Sequence, residues 1–223
     1  MGMDVPIPMP TDTHHLTLMQ WLSPGYPVGA FAYSHGLERV VEQGAVGSAD
    51  QFETWLTDIL TLGTGRSDAI LLHCAYRTET PHRLVELDDL ARALSPSSER
   101  RMETELQGEA FARTTAAIWG SEDAPLAYPV AVGAAARRAG IDATMTCAAY
   151  LHAFAANLTS AAIRLIPLGQ TEGQTVLARM TPICHDIAVQ TAHLCPDDIG
   201  SCCFAADIAS MQHETQYSRQ FRS

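Results

Sequence analysis

The chain has 223 residues, of which 14 are basic and 25 acidic, for a formal charge of −11, and 47% are apolar. That supplies one sizeable hydrophobic core but no basic stripe to neutralise phosphates, so nucleic acid is excluded as a partner. All 14 basic residues are arginine, and the absence of lysine excludes P-loop nucleotide hydrolysis, Schiff-base chemistry and a lysine general base.

Residues 1–15 read as a flexible leader, and Met1 to Pro10 lacks the basic n-region of a signal peptide. Leu16 to Leu22 forms a short helix stopped by Ser23-Pro24-Gly25, and a Pro- and Gly-rich loop follows to Phe31. Leu37, Val40 and Val41 recur at helical spacing up to a glycine stop at Gly44. Phe52, Trp55, Leu56, Ile59 and Leu60 define one apolar helix face. Asp50 with Glu53 reads as its capping box, and Gly63 and Gly65 as its end. Ser67 caps a helix over 68–77, and Leu84, Leu87, Ala91 and Leu94 mark another. A long helix runs from about Glu99 to Trp119, and an Ala-rich one from Tyr128 to Gly140.

Thr144 to Ile166 is apolar nearly all round, the pattern of a buried central helix. A helical stretch over Thr175–His193 is bent or divided at Pro182, and the last helix spans Phe204 to Tyr217, before a short polar tail. No period-2 alternation of β-branched residues occurs. The expected fold is all-α: a single-domain compact bundle of roughly eight to eleven helices over residues 16–216, with 217–223 as a partner-binding tail.

The Ala-rich stretch near 147–163 is interrupted by His152, Asn157, Thr159 and Ser160, so no membrane span is expected. Six cysteines at 74, 147, 184, 195, 202 and 203 form no C-x-x-C pair and read as reduced thiols of a cytoplasmic protein.

Enzyme signatures are near-misses. His213-Glu214-Thr215-Gln216-Tyr217 starts like the zinc-protease helix but has tyrosine where the second histidine ligand belongs. Neighbouring Cys202 and Cys203 point about 100° apart on a helix and are read as packing. His73-Cys74 and Cys184-His185 have nickel-ligand chemistry but lie in apolar helices, where a structural role is the simpler reading. No enzyme activity, metal or cofactor is expected. Asn157, Ser160 and Arg164 share one face of the apolar helix. As a buried polar stripe they are either an internal network tying helices together or the lining of a groove, channel or partner surface.

Three blocks carry a family resemblance. Trp21–Glu38 contains S-P-G-Y-P-V-G-A-F-A-Y-S-H-G-L-E, Asn157–Gln174 reads NLTSAAIRLIPLGQTEGQ, and Ile208–Ser223 reads IASMQHETQYSRQFRS. Ser98-Glu99-Arg100 with Gln107-Gly108 is a weaker echo. Together they resemble the urease accessory protein F (UreF) family, with Ala32 in place of a usual serine and Gln220 in place of a usual leucine. The resemblance implies a helical homodimer that binds a scaffold accessory protein of the UreD/UreH type and, through it, the UreG GTPase, to deliver nickel to apo-urease. An alternative within the family is direct activation of the GTPase, with Arg219 or Arg222 supplied in trans. Tyr33, His35 and Glu38 are either loop-ordering or partner-contact residues. His213, Glu214, Tyr217, Arg219, Phe221 and Arg222 are further partner-contact candidates, in a tail expected to be mobile alone and to order on the scaffold.

Overall fold

The structure, a computed structural model, describes residues 11–120 and 125–223. Residues 1–10 of the expected leader lie outside the described residues, and its remainder belongs to the first helix. Ten α-helices, two 3-10 turns and no strand are present among the described residues: α1 (Thr11–Trp21), α2 (Leu37–Glu42), α3 (Ala49–Leu62), α4 (Thr64–Arg77), α5 (Pro81–Ala93), α6 (Ser98–Trp119), α7 (Tyr128–Arg138), α8 (Ala143–Leu165), α9 (Gln170–Thr191) and α10 (Phe204–His213). The protein is a single all-α domain. None of its described helices is long and apolar enough to cross a membrane.

Local sequence explains most boundaries. The apolar stripe of α3 is buried as its spacing requires, through Phe52, Leu56, Ile59 and Leu60. Its cap sits two residues earlier than Asp50: the Ser48 hydroxyl accepts from Gln51 N (3.4 Å), and Gln51 Oε1 accepts from Gly47 N (2.9 Å). The capping residue is therefore Ser48, which has the extended backbone of a cap, and the Gln51 side chain reaches back to the residue before it. Gly63 ends α3 and begins α4 at once, so the chain turns without an intervening loop and α4 starts at Thr64, ahead of Ser67. Helix α9 runs unbroken through Pro182. Both Pro182 and Ala178, whose carbonyl loses its donor there, are exposed, so water can replace the missing bond.

The core lies where α4 and α8 meet their neighbours: α8 packs on α9, α4 on α7, and α3 also rests against α9. Leu72, Leu151, Leu158 and Ile141 are essentially inaccessible there. Helices α4 and α7 approach so closely that a Cβ on Gly133 would fall 2.3 Å from the Leu72 carbonyl oxygen. The buried stripe expected on α8 needs correction. Helix α8 is central, but Ser160 and Arg164 are exposed and Asn157 is half-buried, because that face turns toward the loop preceding α2 rather than into the core. Arg164 answers the cost of burial by staying at the surface.

Candidate functional site

The first and third sequence blocks meet in space. After the 3-10 turn Ala30–Ala32, the chain passes through Tyr33 and Ser34 and reverses at His35 and Gly36, both left-handed (φ 58° and 76°). Gly36 is required on a second count: a Cβ would stand 2.8 Å from Ser210 N, where the start of α2 abuts α10. His35 holds the same conformation without glycine's freedom. Its ring is fixed by Arg100, whose Nη1 donates to Nδ1 at 3.0 Å. Burial and the Arg100 charge hold the His35 imidazole well below the usual histidine range. The ring is thus neutral, with its hydrogen on Nε2.

The turn aims two acceptors and a donor at the C-terminal tail. Glu38 Oε1 accepts from Gln220 N (2.7 Å) and Oε2 from Phe221 N (3.0 Å). Ser34 N donates to the Ser223 carbonyl at 2.7 Å, and its hydroxyl donates to the same oxygen. Arg222 N donates to the Ala32 carbonyl at 2.8 Å. Helix α6 supplies the other wall. Glu99 Oε1 accepts from Arg219 (2.7 Å), Glu103 Oε2 accepts from the Ser223 hydroxyl (2.9 Å), and Arg100 pairs with Glu103. From α10, His213 sits between the two sides, Nδ1 at 2.7 Å from Glu99 Oε2 and Nε2 at 3.3 Å from Glu38 Oε2. Glu38, Glu99 and Glu103 thus face Arg100, Arg219 and His213, a corner in which removal of any partner strands another. Above it, the Arg164 guanidinium lies 4.3 Å from the centre of the buried Phe221 ring and donates to the Phe31 carbonyl at 3.1 Å.

These contacts change the expected roles. Tyr33, His35, Glu38, His213 and Phe221 are buried, so the isolated chain uses them on itself rather than offering them to a partner. The reason is mutual satisfaction: Ser34, Glu38 and His35 Nδ1 find counterparts on the tail or on α6. The tail is docked, not free, as the 4% exposure of Phe221 and 0% of Ser223 record. Glu214 is half-buried and accepts from Ser98 N at 2.7 Å, where it caps α6. Tyr217, Arg219 and Arg222 remain exposed, and Tyr217 has no shielding at all.

Sequence reasoning missed Ser34, Glu99, Arg100, Glu103 and Ser223 as members of the site. The Ser98-Glu99-Arg100 echo was the available signal, but it carried no role until α6 was placed beside α10. Among the near-miss motifs, His73 is buried with Nε2 3.0 Å from the Ala188 carbonyl. Cys203 packs with Ile59 and Ala206 while Cys202 is exposed. Cys184 is buried and its neighbour His185 faces out.

Fold and site define a class: an all-helical protein whose most elaborate buried chemistry is spent on fixing its own C-terminus. The UreF family model matches residues 46–181. The urease accessory protein UreF of Ruegeria pomeroyi is 53% identical over 216 residues, 96% of this chain and 99% of that one. The UreF proteins of Ruegeria sp. TM1040 (57% over 208 residues, 93% and 97% covered) and Roseobacter denitrificans (51% over 215, 96% and 96%) are similar. The chain belongs to the UreF family of urease accessory proteins.

Proposed function

We propose that this chain is a non-enzymatic urease maturation factor of the cytoplasm that acts as a homodimer. It binds a scaffold accessory protein of the UreD/UreH type and thereby recruits the UreG GTPase, which delivers nickel to apo-urease. The observation that carries this reading is the division of the tail into two faces. Backbone groups of 220–223 and the Phe221 ring are held inward by Glu38, Ser34 and Arg164, while Tyr217 and Arg222 are held outward. An exposed tyrosine and arginine in one tail have the composition of interface anchors, and docking residues 220–223 in advance lowers the ordering cost of binding.

Co-expression with the scaffold protein and UreG tests this. Deletion of residues 217–223 is expected to abolish co-purification, and Tyr217→Ala to weaken it about tenfold. Unchanged co-purification on deletion overturns the reading. Direct activation of the GTPase by an arginine in trans is disfavoured for Arg219, which is occupied by the Glu99 carboxylate. GTP turnover by UreG is accordingly expected to be the same with the Arg219→Ala and Arg222→Ala chains as with the unaltered one.

A further inference from the structure

Three buried nitrogens without a hydrogen-bond partner, Trp21 Nε1, His35 Nε2 and Arg100 Nε, belong to residues lining one cavity of about 50 Å³ between α1, the loop before α2, α6 and α8. The three residues are only 2%, 5% and 7% exposed. Each nitrogen is a donor, since His35 Nδ1 already accepts from Arg100 and leaves the hydrogen on Nε2. The Phe154 ring, 4.5 Å from His35 and at 69° to it, offers a π face, a weaker acceptor than an oxygen. A buried donor left unpaired is costly, and a void bordered by three such residues is built for an acceptor.

The charge around the cavity narrows the guest. Asp68 lines it with Oδ2 accepting from Tyr150 at 2.7 Å, and Glu103 lines it while tied to Arg100 and Gln107. Burial pushes the Asp68 carboxyl up to about 6, so the site already resists negative charge and a second anion is disfavoured. A cation would meet the unpaired N–H groups. A neutral molecule satisfies both sides, its oxygen accepting from the N–H donors and its own N–H donating to Asp68. One water needs about 10–15 Å³, so the space suits roughly four non-hydrogen atoms, and the rings of Tyr26, Tyr128 and Phe154 give it flat walls. We propose that this cavity is a binding site for a small, planar, neutral amide. Its occupant joins α1, through Trp21, to the turn and helix that hold the tail, through His35 and Arg100.

Acetamide and acetate share shape and differ in charge, which makes them the discriminating probes. The isotope-labelled full chain is titrated with each, following the Trp21 indole N–H resonance, assigned with Trp21→Phe. Acetamide is expected to shift it saturably with a dissociation constant on the order of 1 mM, acetate to leave it unsaturated, and Asp68→Asn to weaken acetamide about tenfold. Linear drift with acetamide, or equal saturation by acetate, overturns the proposal. Should Trp21→Phe fail to fold, crystals soaked in acetamide decide the same question: density for the amide in the cavity supports the proposal, and density for water alone overturns it.

Discussion

Where α4 meets α7, two helices are joined by what is missing: Gly133 has no side chain, Ala75 has a short one, and backbone nearly touches backbone. Beneath the tail, three segments distant in sequence are joined by charge, with Glu38, Glu99 and Glu103 meeting arginine, histidine and backbone N–H groups. The first interface is held by dispersion and by water exclusion, and it tolerates no added volume. The second is held by groups that each demand a partner, and it tolerates no subtraction. The helical core is thus specified by shape and the tail by chemistry.

Deleting a carboxylate should show the second sensitivity at its largest. Glu38→Ala leaves the Gln220 and Phe221 amides without an acceptor and His213 with Glu99 alone, and is expected to cost about 4 kcal/mol in denaturant unfolding. A loss below about 1 kcal/mol would mean the tail is not held there. The complementary change is Gly133→Ala, which adds one methyl where the nearest backbone oxygen stands at 2.3 Å. It should cost about 3 kcal/mol by the same measurement, and a neutral result would mean that α4 and α7 can move apart freely.

Titration supplies a further test at Asp68, which lies on α4 but faces the cavity beside the turn. Asp68, raised to about 6 from 3.8, favours the folded state fully below about pH 4, and that contribution is lost as pH rises through about 6. Unfolding followed from pH 4 to pH 7 should therefore show a decline of about 2 kcal/mol relative to Asp68→Asn. Parallel curves for the two chains would remove Asp68 from the account. The smallest effect is expected from Arg164→Ala. Arg164 is exposed and contributes one ring contact and two hydrogen bonds, to the Ser160 and Phe31 carbonyls, together worth about 1 kcal/mol in thermal or denaturant stability.

The same contrast explains what could be read from the amino acids alone. Helices announce themselves by local period, so Phe52, Leu56 and Ile59 declared the buried face of α3, and the long runs of α6, α8 and α9 were visible with their approximate ends. Junctions without loops were not: Gly63 and Gly65 read as a stop because glycine marks both a break and a close approach. On α8, apolar composition suggested burial on all sides, whereas Arg164 and Ser160 lie on a face that a neighbouring loop only partly covers. The tail block was recognisable as a motif, yet its docking depends on Glu38 and Glu99, which lie 182 and 120 residues from their tail partners Gln220 and Arg219. No local pattern encodes a contact of that span. Tyr33 and His35 stood in a legible motif, but their burial, which turns them inward, is not encoded locally.

Amide hydrogen exchange at Gln220 and Phe221 in the isolated full-length chain tests the docked tail most directly. Bonded to the Glu38 carboxylate, both amides should exchange at least about tenfold more slowly than in a free peptide, and Glu38→Ala should release them. Exchange at the free-peptide rate in the unaltered chain would contradict the account.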